Sequence, residues 1–143
     1  MSTRIVLLLA GTILMGSASA QQKSHTSPAK KNDPKKSQTH IGTASYYANK
    51  FNGRRTANGE IFSQQKMTGA SNIISLNTWV RVTNLRNNRK VVVKINDRMH
   101  PGNKRLIDLS RSAASQLGYT GHGLTKVKVE VLGKKQQAAW AGK

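Results

Sequence analysis

Between residues 91 and 96 the chain alternates Val91, Val93 and Ile95 with Val92, Lys94 and Asn96, a period of two that predicts a strand with unlike faces. Val92 makes this run more buried than half-exposed, and the strand delivers Asp97 at its end. A second run over residues 79–85, WVRVTNL, keeps Val80 and Val82 in phase and leaves Trp79 out of it. Asn87-Asn88 between the two runs predicts a hairpin turn. Over residues 125–132, TKVKVEVL, the valines take one face and Lys126, Lys128 and Glu130 the other, as in a half-buried strand with a charged outer face. Shorter extended runs are predicted at residues 44–47, 60–62 and 66–70, with a polar loop containing two glycines over 51–59. After the turn signal of Pro101 and Gly102, Leu106 and Ile107 resume an apolar run that leads to Asp108. The period then changes. Ala113, Ala114 and Leu117 fall at helical spacing, Gly118 closes the helix, and Asp108 or Ser110 is the natural N-cap. Many short strands with one or two short helices predict a mainly β fold closed into a small barrel, because closure removes the unpaired edges that short strands expose.

Composition sets the limits of that domain. With 143 residues, 36% of them hydrophobic, the chain suits one domain over residues 41–133 with tails on either side. Residues 21–40, QQKSHTSPAKKNDPKKSQTH, contain no large apolar side chain and are expected to be a disordered basic linker. Residues 134–143 read as a short basic tail carrying Trp140. Ahead of the linker, Arg4, an apolar run over 5–15 and Ala18-Ser19-Ala20 before Gln21 have the layout of a cleavable secretory signal over residues 1–20. The run is broken by Gly11, Thr12, Gly16 and Ser17 and falls short of the roughly 20 apolar residues of a membrane span, so no integral membrane anchor is expected. Without cysteine there is neither a disulfide nor a thiol for lipid attachment.

A net charge of +19 narrows the partners to nucleic acid, an anionic membrane surface or an acidic polymer outside the cytoplasm. The leader favours the last, as a soluble monomer held to its polymer partly by charge. No helix-turn-helix or RNA-binding motif supports nucleic acid. No set of histidines and acids shows ligand spacing, so neither metal nor cofactor is expected.

Five segments then carry a resemblance: GTASYY from Gly42, FNGRRTANGE over 51–60, WVRVTNL from Trp79, VKINDR from Val93, and LIDLS from Leu106. In this order and spacing they resemble the rare lipoprotein A (RlpA-like) family of bacterial wall enzymes over nearly all of residues 41–133. The resemblance implies a six-stranded double-psi β-barrel, a fold shared with expansins and barwin-like proteins. It also implies export to the periplasm or cell envelope and endolytic transglycosylase activity on peptidoglycan, chiefly on glycan strands stripped of their peptides. Such a lyase cuts between MurNAc and GlcNAc and leaves 1,6-anhydro-MurNAc ends during wall remodelling and daughter-cell separation.

Glu60, in TANGE, and Asp97, in NDR, match the positions regarded as catalytic in that family. Breaking a glycosidic bond requires a proton for the leaving oxygen and a carboxylate near the oxocarbenium-like sugar. In a lytic transglycosylase the sugar's own C6 hydroxyl replaces water, so one acid can give a proton and then take one. Asp97 is assigned that role and Glu60 the orienting or charge-stabilising one, although the sequence alone permits the reverse. Ser71 occupies the place of a histidine usual in the family, and the family's DRGP is here Asp97-Arg98-Met99-His100-Pro101. Asp108 matches an aspartate that is functional in expansin-type barrels, beside its capping role. Arg98, Arg54 and Arg55 are candidate donors to sugar hydroxyls or lactyl carboxylates. Asn96 is a supporting candidate, and Tyr46, Tyr47 and Trp79 are candidate stacking platforms. The runner-up function, favoured by Ser71, is a non-catalytic, expansin-like wall-binding or wall-loosening module.

Overall fold

The structure is a computed structural model that describes residues 38–135, together with Gly11 and Gly16. The expected leader, most of the linker and the tail with Trp140 lie outside the described residues. Six strands form a closed barrel: β1 (Thr39–Tyr46), β2 (Thr68–Ala70), β3 (Thr78–Asn84), β4 (Lys90–Asp97), β5 (Ile107–Leu109) and β6 (Thr125–Gly133). Around the barrel they run β1-β5-β2-β4-β3-β6, so the last strand pairs with the first. Two pairs, β1 with β5 and β2 with β4, are parallel and the others antiparallel. One helix, α1 (Arg111–Leu117), follows β5, and a 3-10 turn (Asn49–Phe51) follows β1.

The alternating pattern dictates what is buried. Val80 and Val82 of β3, Val93 and Ile95 of β4, and Val127 and Val129 of β6 are all fully enclosed. Each such side chain contributes about 1.5–3 kcal/mol by leaving water. They meet Ile107 and Leu109 of β5 and Ala113, Ala114 and Leu117 of α1 in one core. Trp79, out of phase with its neighbours, is only partly buried.

Asn84 N–H donates to the Arg89 carbonyl at 2.9 Å across the β3–β4 hairpin, with Asn88 at φ 59°, a left-handed conformation that Asn tolerates. At α1 the capping choice is resolved in favour of Ser110, whose hydroxyl accepts from Ala113 N–H. Asp108 lies inside β5 and caps nothing. Gly118 ends the helix at φ 76°, its N–H donating to Ala114 and Ser115 carbonyls.

Three boundaries differ from the pattern. β1 begins at Thr39, so Thr39 and His40 belong to the barrel rather than to the linker; they pair with Glu130 and Val129 of β6. Such polar residues give no hydrophobic signal, and pairing along β6 alone extends the strand. Residues 60–62 do not form a strand but a single bridge, Arg55 opposite Ile61. The predicted strand at 66–70 shortens to β2.

One glycine is imposed by packing. A Cβ on Gly42 would lie 2.7 Å from Leu106 Cβ, where the segment entering β5 passes over β1. Neither atom sits on a flexible end, so backbone must move. Gly42→Ala is expected to destabilise the fold by about 1–3 kcal/mol, read as a lower urea midpoint.

Candidate active site

β4 ends in an irregularity. Gly69 and Ala70 of β2 stand opposite Ile95 and Asp97, which leaves Asn96 as the extra residue of a β-bulge. The bulge breaks the alternation: Asn96 is buried to 2% exposure where the period would leave it half-exposed, and Asp97 is carried to the barrel's rim.

There an open cleft of about 540 Å³ is lined by Tyr46, Tyr47, Lys50, Phe51, Asp97, Arg98, His100, Arg105 and Asp108, among others. Tyr47 follows β1, its N–H donating to the Leu109 carbonyl at 2.9 Å and its ring packed against Phe62 and Phe51. Its hydroxyl donates to Asp97 Oδ2 at 2.7 Å. The other carboxylate oxygen, Oδ1, accepts from the N–H groups of Ala57 (2.9 Å) and Arg98 (2.8 Å). Burial, and then the hydrogen bond to Asp97, push the Tyr47 phenol well above its ordinary range, so it stays protonated and remains a donor.

The other carboxylates are held differently. Asp108 is clamped by Arg105 through two bonds of 2.7 and 2.8 Å, which in turn raises the Arg105 pKa. Glu130 is clamped in the same way by Arg81, with its carboxyl held below the usual range chiefly by that bond. Glu60 accepts from Lys94 Nζ through Oε1 and from Asn96 Nδ2 at 3.1 Å through Oε2. The Lys94 bond first and the Asn96 bond second hold its carboxyl at about 2. Among the described carboxylates Asp97 alone is bonded by neutral donors and not by a cation.

Of the residues singled out in the sequence, Tyr46, Tyr47, Asp97, Arg98 and Asp108 reach the cleft, and Glu60, Asn96, Arg54, Arg55, Ser71 and Trp79 do not line it. Ser71 is fully buried, its hydroxyl donating to the Leu106 carbonyl at 2.9 Å, so it braces the loop into β5. Arg98 donates through Nη1 to the carbonyls of Ser71 and Ile74, which ties it to the loop after β2. Arg55 donates to the Gly59 carbonyl at 2.9 Å within its own loop, and Arg54 stands over the Phe51 ring. Sequence reasoning passed over Lys94 and Arg105. A cation inside the Val/Ile run of residues 91–95, and an arginine three residues before an aspartate in a chain of five carboxylates, were the available signals.

The Glu60 shift has a measurable consequence. A carboxyl lowered from 4.5 to about 2 contributes stability above pH 4.5 that is lost as pH falls through about 2, because the unfolded chain takes up the proton first. Glu60→Gln is therefore expected to flatten the decline of the urea midpoint across that window. An unchanged slope would contradict the bonding described.

A closed six-stranded barrel with two parallel pairs, and a cleft at the end of β4 and β5, defines the double-psi β-barrel class. Solved structures agree: an expansin from Clavibacter michiganensis superposes with a TM-score of 0.55 at 21% identity, covering 70% of this chain and 53% of its own. A Streptomyces papain inhibitor gives 0.54 at 21%, covering 66% and 94%. At that identity the likeness is one of fold. A family model described as lytic transglycolase matches residues 39–129, and the chain belongs to this RlpA-like family. It is 44% identical over 110 residues to the endolytic peptidoglycan transglycosylase RlpA of Haemophilus influenzae, covering 77% of this chain and 38% of the relative. With the protein of the same description from Pseudomonas aeruginosa it shares 46% over 103 residues, covering 72% and 30%. The chain thus spans about a third of the length of these relatives.

Proposed function

We propose that this chain is an endolytic lytic transglycosylase acting on peptidoglycan glycan strands. The observation that carries the reading is the state of Asp97, which stands in the cleft with no cation bonded to it. An adjacent cation holds a carboxylate unprotonated, as Lys94 does for Glu60, and such a group cannot serve as an acid near neutral pH. Asp97 has no such cation: its Oδ2 accepts one bond, from the Tyr47 hydroxyl, and its Oδ1 two, from backbone N–H groups, so Oδ2 is the less occupied of its oxygens.

In the proposed reaction protonated Asp97 gives its proton to the glycosidic oxygen as the bond from C1 breaks. The carboxylate left behind faces the oxocarbenium-like sugar. It then takes the proton of the C6 hydroxyl, whose oxygen closes onto C1, so the acid is regenerated and no water is consumed. Tyr46, Tyr47 and Phe51 offer apolar faces to sugar rings, and Lys50 and Arg105 bring positive charge to the cleft lining, suited to an anionic glycan. The substrate lies outside the cytoplasm, and the leader expected over residues 1–20 supports export to the envelope.

Digestion of peptide-free glycan strands, followed by mass spectrometry of the products, tests the reading: 1,6-anhydro ends are expected. Wild-type protein that binds the strands and releases no such ends, under conditions where an established transglycosylase cleaves them, would replace it with the wall-binding module. The Ser71 hydroxyl, buried against the Leu106 carbonyl and out of reach of the cleft, is the feature that favours that second reading.

A further inference from the structure

The turn over residues 56–60 is stitched to itself. Thr56 N–H donates to the Glu60 carbonyl at 2.8 Å, Gly59 N–H to the Thr56 carbonyl at 3.0 Å, and Glu60 N–H to Asn58 Oδ1 at 3.1 Å. It therefore moves as one piece. Four ties fasten that piece to the barrel: Asn58 N–H to the Asn96 carbonyl, Asn58 Nδ2 to Asn77 Oδ1, Ala57 N–H to Asp97 Oδ1, and the Glu60 carboxylate to Lys94 and Asn96. Only the last joins two full charges.

Asn96 supplies an independent sign that this tie matters. The bulge residue is buried, its Nδ2 donates to Glu60, and its Oδ1 has no partner among the described residues. A buried amide with an idle carbonyl costs free energy, so holding it there is consistent with its amide being kept for Glu60. Glu60, for its part, is not among the residues that line the cleft. Both of its carboxylate oxygens are instead engaged, Oε1 by Lys94 and Oε2 by Asn96.

We propose that Lys94 is a positioning residue for the cleft: together with the Asn96 amide it clasps the Glu60 carboxylate, and the clasp holds the 56–60 turn so that the Ala57 amide stays aimed at Asp97. Glu60 then works through the turn and not on the sugar. This rests on the reading of Asp97 as the acid/base. Lys94 and Glu60 form one unit, in which losing either partner releases the turn and removes one of the two amides that orient Oδ1.

Two measurements on the full chain test this. In steady-state kinetics on peptide-free glycan strands, Lys94→Met and Glu60→Gln are each expected to lower kcat about 10- to 100-fold with KM nearly unchanged, since a displaced catalytic group affects turnover more than binding. The double variant should fall no further than either single one, as for residues that act together. Lys94→Arg, which keeps the cation, should retain most of the wild-type kcat. In amide hydrogen exchange, protection of the Ala57 N–H should drop about tenfold in Lys94→Met and persist in Lys94→Arg. A Lys94→Met protein with wild-type kcat and wild-type Ala57 protection would overturn the proposal. So would a loss in Glu60→Gln far exceeding that in Lys94→Met, which would mean that Glu60 acts on the sugar directly. Should the wild type release no anhydro ends, the transglycosylase reading fails by itself, and Ala57 exchange still decides whether the clasp holds the turn.

Discussion

Asp97→Asn is expected to abolish release of 1,6-anhydro-ended fragments, a fall in turnover of about 10²–10⁴-fold, the range usual for removing a positioned acid/base. The substitution keeps the shape of the side chain. Its amide oxygen can still accept from the Ala57 and Arg98 N–H groups, and the Tyr47 hydroxyl, which rotates, can accept from the new amide nitrogen at Oδ2's place. Melting temperature and binding to glycan strands should therefore stay close to wild type. The assay compares products of both proteins by mass spectrometry at equal concentration. An Asp97→Asn variant that still released anhydro ends at a rate near wild type would remove Asp97 from the chemistry.

The second large effect is expected at Ile95. It is fully buried on β4, with β2 on one side and β3 on the other through Gly69 and Thr78. Ile95→Ala should cost about 2–5 kcal/mol, against about 0.5–1.5 kcal/mol for Ile95→Val, because the closed barrel has little freedom to collapse onto the cavity. For a domain whose whole stability is of order 5–15 kcal/mol, the alanine variant sits near the edge of folding. Urea midpoints of the two variants check this, and equal midpoints would show that the core relaxes more than its packing implies. Ile95 also immediately precedes the bulge that aims Asp97, so the alanine variant should lose turnover even under conditions where it remains folded.

Much of this architecture could be read from residues alone, and the reasons differ by element. The β3–β4 hairpin was legible because two period-two runs flank a pair of asparagines, one of which adopts the left-handed turn that asparagine tolerates. The α1 boundaries were legible because Ser110 and Gly118 act locally, through bonds to their own helix. Asp97 was legible as the polar end of an apolar strand. What escaped is nonlocal. The parallel pairing of β1 with β5 joins segments far apart in the chain, Ala44 opposite Ile107, and leaves no periodic trace. The Asn96 bulge needs the register against β2 to be seen, and without it Lys94 and Glu60 have no reason to meet. The bonds of Arg98 were likewise hidden: its place beside Asp97 is plain in the sequence, but only the fold shows the carbonyls of Ser71 and Ile74 that its Nη1 meets.

The pairing of the first strand with the last has a mechanical consequence. Thr39 lies opposite Glu130, and Val131 N–H donates to the Gln38 carbonyl at 2.9 Å, so the chain enters and leaves the barrel side by side. A load drawing the two flanks apart falls first on that outermost bond, then on the next rung inward. The ladder is peeled and not sheared, each bond bearing the force alone. A barrel so closed can resist heat and denaturant through its shared core and still open readily when tugged by its ends.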